Sequence, residues 1–160
     1  MNVTIVAVDY NNETHAQDLV AMLNAYAQDE MGGGEPLTET VQQTLASTLA
    51  AVPGAFSFLC YVDDKPAGLA NCFMGFSTFK CQPLVNIHDM GVVSQHRGLG
   101  LSQRLLQAVE EEAKKRGCCK VTLEVLSGND VAKNAYTKFG FQGYQLNPEK
   151  GDAIFLEKKL

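Results

Sequence analysis

The sequence predicts an α/β (α+β) fold, a mostly antiparallel mixed central sheet flanked by helices, and three observations predict it. Strand-like runs and helical periodicities are interleaved in the order β, α, α, β, β, β, α, β, α, β, so they share one core. Three of those strands follow one another without an intervening helix. The chain is 160 residues long with 46 % hydrophobic residues, enough for one globular domain over residues 1–160 with a sizeable core.

Residues 3–8 are β-branched and read as the first strand, broken by Asp9 and the Asn11-Asn12 pair. In residues 14–30 the apolar side chains Leu19, Met22, Leu23 and Tyr26 recur at helical spacing, and the glycine run 32–34 with Pro36 ends that helix in a mobile loop. A second helix starts at Thr38-Glu39, carries Val41, Leu45 and Leu49 at steps of four, and closes at Pro53-Gly54. Residues 56–62 read as a strand, 63–66 as a turn, 67–73 as the next strand and 85–93 as another, interrupted by His88 and Asp89. The third helix runs from Gly100 to just before Gly117. Its outer face offers Glu110–Lys114, Glu111–Lys115 and Glu112–Arg116, i,i+4 pairs in the favourable order, together contributing about 1 kcal/mol. Residues 121–126 alternate as a strand, and a short helix over 129–138 stops at Gly140, a natural C-terminal cap. Residues 143–146 and 153–160 are candidate final strands.

The formal net charge of -5 argues against nucleic acid as the main partner, since phosphate binding needs a basic surface, and suits a cationic substrate. The five cysteines show no zinc-site spacing and read as free thiols in a reducing cytoplasm; no metal is implied. No basic leader followed by an apolar stretch opens the chain, and no apolar run is long enough to span a bilayer, so no membrane partner is expected.

The most informative segment is residues 92–106, which join a strand to an amphipathic helix. Gly98, Gly100 and the small Ser102 alternate at the junction. Glycine lets a ligand touch the backbone, and successive N–H groups at a helix opening converge on an anion. Arg97 adds a full positive charge beside them, which suits a pyrophosphate. The Walker pattern fails for want of Gly-Lys-Ser/Thr, and the dinucleotide pattern lacks a third glycine at Gln103. A glycine-rich turn with no ligand is the bland alternative.

This segment resembles the acetyl-coenzyme A signature of GNAT acetyltransferases, Gln/Arg-x-x-Gly-x-Gly/Ala. Arg97-Gly98-Leu99-Gly100-Leu101-Ser102 matches it in the register set by Leu105-Leu106, with Ser102 in place of the last Gly or Ala; Gln95-x-x-Gly98-x-Gly100 matches it literally. Family members also carry an Asn, an Ala and a Tyr on a later helix, then Gly-Phe, here Asn129, Ala132, Tyr136 and Gly140-Phe141. The resemblance covers nearly the whole chain and is most specific over residues 87–141. It implies a single GNAT-type domain that uses acetyl-coenzyme A as acetyl donor. Met90, Gly91, Val92, Arg97, Gly98, Leu99, Gly100, Leu101, Ser102, Gln103, Asn129, Ala132 and Tyr136 would then contact the coenzyme, with Tyr136 approaching its sulfur. The first half looks most like the spermidine/spermine-acetyltransferase branch, through Tyr26, Asp29, Glu30, residues 36–39 and residues 76–79. That branch has Glu-Asp where this chain has His88-Asp89. A homodimer is common among such relatives.

Chemistry assigns provisional roles. A primary amine is mostly protonated near neutrality and cannot attack a thioester until it loses a proton, and the leaving thiolate needs one back. His88, or a water relay, is the candidate base, and Tyr136 the candidate proton donor. Strand alternation aims His88 opposite to Asp89 unless a bulge near Gly91 changes the register. Tyr26, Asp29, Glu30, Phe76 and Asp89 are the candidate acceptor-binding residues, the carboxylates holding a small cationic amine by charge. The alternatives are acetylation of a protein N-terminus or lysine, and a coenzyme-binding regulatory module without catalysis.

Overall fold

The computed structural model describes residues 1–144 and 146–160. Its sheet has the spatial order β1 (Val3–Ala7), β2 (Ala55–Val62), β3 (Lys65–Ser77), β4 (Gln82–Val92) and β5 (Val121–Leu123). The first four strands pair antiparallel and β5 lies parallel to β4, so the sheet is mixed and mostly antiparallel as expected. The β2–β3 turn is tight: Asp63 and Asp64 both take positive φ, 47° and 62°, the primed-turn geometry that matches strand twist.

The helices among the described residues are α1 (Glu13–Gln28), α2 (Glu39–Ala50) and α3 (Leu101–Lys115), which pack on the sheet, and α4 (Asp130–Phe139), which packs against α3. Alternation along β2 and β3 divides the core between the two faces. Leu59 and Leu69 meet Leu19, Met22 and Leu49 from α1 and α2. Phe58, Cys60, Cys72, Val85 and Ile87 meet Leu101, Leu105, Leu106 and Val109 from α3. Each of α1, α2 and α4 starts on a side chain that accepts a backbone N–H, namely Asn12 from His15, Thr38 from Val41 and Asn129 from Ala132. Gly140 closes α4 with φ 117°. On the outer face of α3 the Glu110–Lys114 and Glu112–Arg116 pairs form, while Glu111 instead accepts a hydrogen bond from Gln107. No helix among the described residues is long and apolar enough to cross a membrane.

The middle strands are longer than the sequence suggests, because β3 and β4 continue as a hairpin arm beyond Phe73 and before Val85. The C-terminal expectation needs correction. Residues 143, 144 and 146 and residues 153–160 form no strand, and Gln145 lies outside the described residues. Between these segments the Ala153 N–H donates to the Tyr144 carbonyl at 3.5 Å. A 3-10 turn at Pro148–Lys150 separates them, and β5 ends at Leu123, too early to offer a matching edge. Isolated alternation cannot make a strand without a partner ladder.

Candidate active site

The site is built where β4 departs from regular pairing. Asn71 faces Asp89 and the next residue, Cys72, faces Ile87, so His88 is an extra residue on β4. The bulge therefore lies at His88, and the suggested site near Gly91 is corrected. Its effect is to rotate the strand by one side chain. Ile87 points to the α3 face, while His88 and Asp89 both line a cavity of about 350 Å³ on the α1–α2 face. Plain alternation would have sent those two side chains to opposite sides.

Tyr26, Leu23 and Ala27 of α1, Leu37, Leu45 and Leu49 around α2, and Asn71 and Phe73 of β3 complete the walls. Tyr26 packs against Gly91; a Cβ at Gly91 would meet its ring at 2.9 Å, so this approach requires glycine. Gly32, on the loop after α1, is equally constrained, since a Cβ there would fall 1.9 Å from the Tyr26 carbonyl oxygen. The His88 ring packs edge-on against Phe73, with centroids 5.7 Å apart. Burial, then the carboxylates of Asp89 and Asp29, push the Tyr26 phenol up, so it stays neutral beside them.

Beside this cavity β4 has a free edge. Among the described residues β5 pairs only with Val85, Asn86 and Ile87, which leaves the stretch containing Met90, Gly91 and Val92 without a described strand partner on that side. The chain then enters a 3-10 turn at Ser94–His96 and the glycine turn. Gly98 and Gly100 take φ 80° and 74°, and no atom lies within 4 Å of a Cβ built on either. No side chain caps α3, so its first N–H groups, from Leu101, Ser102 and Gln103, face outward. Leu101 itself is buried and anchors the turn, whereas Leu99 is partly exposed. The Gln103 amide donates to the Ala135 carbonyl at 2.9 Å and ties α3 to α4. Open backbone, an uncapped helix and a free strand edge in succession fit an extended ligand bearing a pyrophosphate.

Tyr136 projects from α4 into the α3-side core, T-shaped against Phe141 at 5.9 Å. Burial chiefly, with Tyr26 nearby, pushes its phenol up to about 12, so it holds its proton near neutrality. Asn129 serves α4 as its cap through a 3.2 Å bond from Ala132 N–H. Ala132 is half-buried on the same helix.

Three expected acceptor residues do not reach the cavity. Asp29 caps the 3-10 turn Glu30–Gly32 by accepting from Met31 N–H at 3.0 Å, and it forms an ion pair with Arg97. Arg97 also donates through Nε to the Val92 carbonyl at 3.2 Å. Glu30 is exposed, and Phe76 is 59 % exposed on the hairpin arm. The physical reason is that α1 ends at Gln28, two residues before the sequence suggests, so Asp29 and Glu30 leave the helical face that carries Tyr26. Asn71 is the functional candidate missed in the sequence. An Asn within an otherwise apolar strand run was the available signal.

The chain belongs to the GNAT acetyltransferase family: residues 19–141 match the model of the Acetyltransferase (GNAT) family. It is 34 % identical over 86 residues to an uncharacterised N-acetyltransferase of Methanocaldococcus jannaschii, a match covering 53 % of this chain but only 38 % of that relative's length. It is 26 % identical over 141 residues to thialysine N-epsilon-acetyltransferase of Caenorhabditis elegans, covering 88 % of this chain and 83 % of the relative. Among solved structures it shares its fold with the aminoglycoside acetyltransferase AAC(6')-Iy in complex with a coenzyme A bisubstrate analogue. That likeness has a TM-score of 0.78 with 16 % identity and covers the whole of both chains.

Proposed function

We propose that this protein is an acetyl-coenzyme A-dependent N-acetyltransferase of the cytoplasm that acts on a small cationic primary amine by direct attack. The observation that carries this reading is the bulge at His88, which brings a base and a carboxylate into one walled cavity beside the free β4 edge. Acetyl-coenzyme A would supply the activated acetyl group. Gly98, Leu99, Gly100 and the N–H groups opening α3 would hold its pyrophosphate, and the free edge at Met90, Gly91 and Val92 its pantetheine arm. Arg97 would add charge, and Asn129, Ala132 and Tyr136 would border the arm from α4. In the cavity Asp89 attracts the cationic amine, His88 or a water it orients removes the proton, and the Tyr26 ring shapes the wall. Tyr136, still protonated, is suited to return a proton to the sulfur.

A cavity of about 350 Å³ walled on several sides suits a small molecule better than a peptide, which needs an open groove. The thialysine enzyme among the relatives and the aminoglycoside enzyme among the structures act on amines of that kind by name. The test is turnover of acetyl-coenzyme A with thialysine, spermidine, sisomicin and an alanine-initiated peptide. Acetylation of at least one of the three small amines, with the peptide slower, is the expected result. Preference for the peptide moves the reading to protein acetylation. Tight coenzyme binding with no turnover on any of the four moves it to a regulatory module.

A further inference from the structure

Two polar side chains, Ser57 and Asn71, are buried among the apolar residues of the sheet, 2 % and 3 % exposed. They are cross-strand partners, Ser57 on β2 opposite Asn71 on β3, and the bulge sets Asp89 of β4 opposite Asn71. The three therefore stand in one row beneath α1. The Ser57 hydroxyl donates to Asn71 Oδ1 at 2.6 Å, and Asn71 Nδ2 donates to Asp89 Oδ2 at 3.1 Å. The Tyr10 hydroxyl lies 2.8 Å from Ser57 Oγ.

Chemistry fixes every direction in this file. An ionised carboxylate only accepts, so the amide must turn its N–H₂ to Asp89 and its carbonyl to Ser57. Ser57 then spends its single proton on that carbonyl, and the proton between Ser57 and Tyr10 belongs to Tyr10. Remove the Ser57 hydroxyl and the buried Asn71 carbonyl loses its donor, so the bond to Asp89 alone sets the amide's position. The side chain can then shift toward another donor and carry the carboxylate out of place.

We infer that Asn71, oriented by Ser57 and Tyr10, is a positioning residue that fixes the Asp89 carboxylate for the cationic acceptor. One carboxylate oxygen is held by the file and the other is left to the cavity that Asn71 itself lines. The inference rests on the proposed acceptor site at Asp89. It adds that affinity for the acceptor depends on a hydroxyl two strands away that touches neither substrate.

The experiment measures kcat and KM for acetyl-coenzyme A and for whichever of thialysine, spermidine or sisomicin the wild-type enzyme acetylates best. Four variants are compared: Asp89→Asn, Ser57→Ala, Tyr10→Phe and the Ser57→Ala/Asp89→Asn double. Loss of a hydrogen bond that orients a charged group is worth about tenfold, and of a neutral bond further out about threefold. The acceptor KM should thus rise about tenfold in Ser57→Ala and about threefold in Tyr10→Phe, with the acetyl-coenzyme A KM unchanged. In the double variant Ser57→Ala should add nothing to Asp89→Asn, because its effect passes through that carboxylate. If Asp89→Asn raises the acceptor KM while neither Ser57→Ala nor Tyr10→Phe does, the positioning role is overturned and the acceptor site stands. The role is also overturned if the effects of Ser57 and Asp89 simply multiply, or if both KM values shift together with lost folded protein. If Asp89→Asn leaves the acceptor KM unchanged, or none of the three amines is acetylated, the acceptor site falls and the inference with it.

Discussion

Tyr136 shows how burial prepares a residue for one role. Its phenol, pushed up to about 12 by the surrounding core, cannot serve as a base near neutrality but keeps its proton, as the proposed donor to a leaving sulfur must. Tyr136→Phe keeps the ring against Phe141 and removes only the hydroxyl. The expected outcome in pre-steady-state kinetics is a loss of about 10²-fold in the chemical step, with the acetyl-coenzyme A Kd unchanged. Because the proton is lost only near pH 12, wild-type kcat should show no alkaline decline from this group up to pH 10. A fall between pH 9 and 10 that disappears in Tyr136→Phe would mean that burial holds the proton less tightly, and full activity of Tyr136→Phe in the chemical step would reject the role. The sequence shows Tyr136 at a motif distance from the glycine turn, yet it cannot show the packing that sets its proton affinity. His88 and Asp89 make the same point more sharply. Their identities are plain in the sequence, whereas their shared face depends on one extra residue in a ladder whose register is set by β3. Asn71 was missed for the same reason, since its value lies in what stands opposite it.

At the scale of elements, the β4–turn–α3 unit was legible because it is local: glycines, strand and helix are contiguous, and φ at Gly98 and Gly100 follows from their lacking a Cβ. Gly100→Glu would strain that backbone and place a carboxylate where phosphate is expected. Calorimetry should show acetyl-coenzyme A affinity falling by at least about 100-fold, the scale of losing a charge-assisted anion site and adding repulsion. Unchanged affinity would place the pyrophosphate elsewhere. What the sequence hid is that α1 reaches this unit, through Asp29 and Arg97. Arg97, then Met31 N–H, holds the Asp29 carboxyl below its ordinary value of 3.8. With the folded-state value depressed, the pair's contribution to stability is present above pH 3.8 and is lost as the pH falls through the lowered value. Near neutrality the pair would compete with a coenzyme phosphate for Arg97 at the proposed pyrophosphate site. Asp29→Asn should therefore tighten acetyl-coenzyme A binding by about threefold in low salt, an effect that added salt reduces. Weaker binding in that variant would mean that Asp29 orients Arg97 for the coenzyme rather than competing for it.

At the scale of the whole molecule, the sheet and both packed faces followed from periodicity, but the C-terminal segment did not, because a strand is defined by a partner that no local pattern names. That segment bears on assembly. The chain exposes 10442 Å², whereas a compact monomer of 17.4 kDa exposes about 7,850 Å². After β5, Leu126, Tyr144, Leu146, Ile154, Phe155 and Leu156 are each at least 59 % exposed. An excess of about 2,600 Å² per chain, covered mutually by two copies, falls in the range of obligate dimer interfaces. A second copy is the fitting occupant, because the same segment and the same short β5 edge are present on both chains and a two-fold arrangement satisfies both at once. We therefore propose a homodimer joined through residues 146–160. Light scattering after gel filtration should give twice the chain mass down to low micromolar concentration. Phe155→Asp, an exposed position whose change leaves the described core untouched, should shift the protein toward monomer without loss of the sheet's circular-dichroism signal. A wild-type protein that stays monomeric at all concentrations would mean that the segment packs back on its own chain. In that case amides of residues 153–160 should be protected from hydrogen exchange independently of concentration, and Phe155→Asp should lower stability rather than change mass.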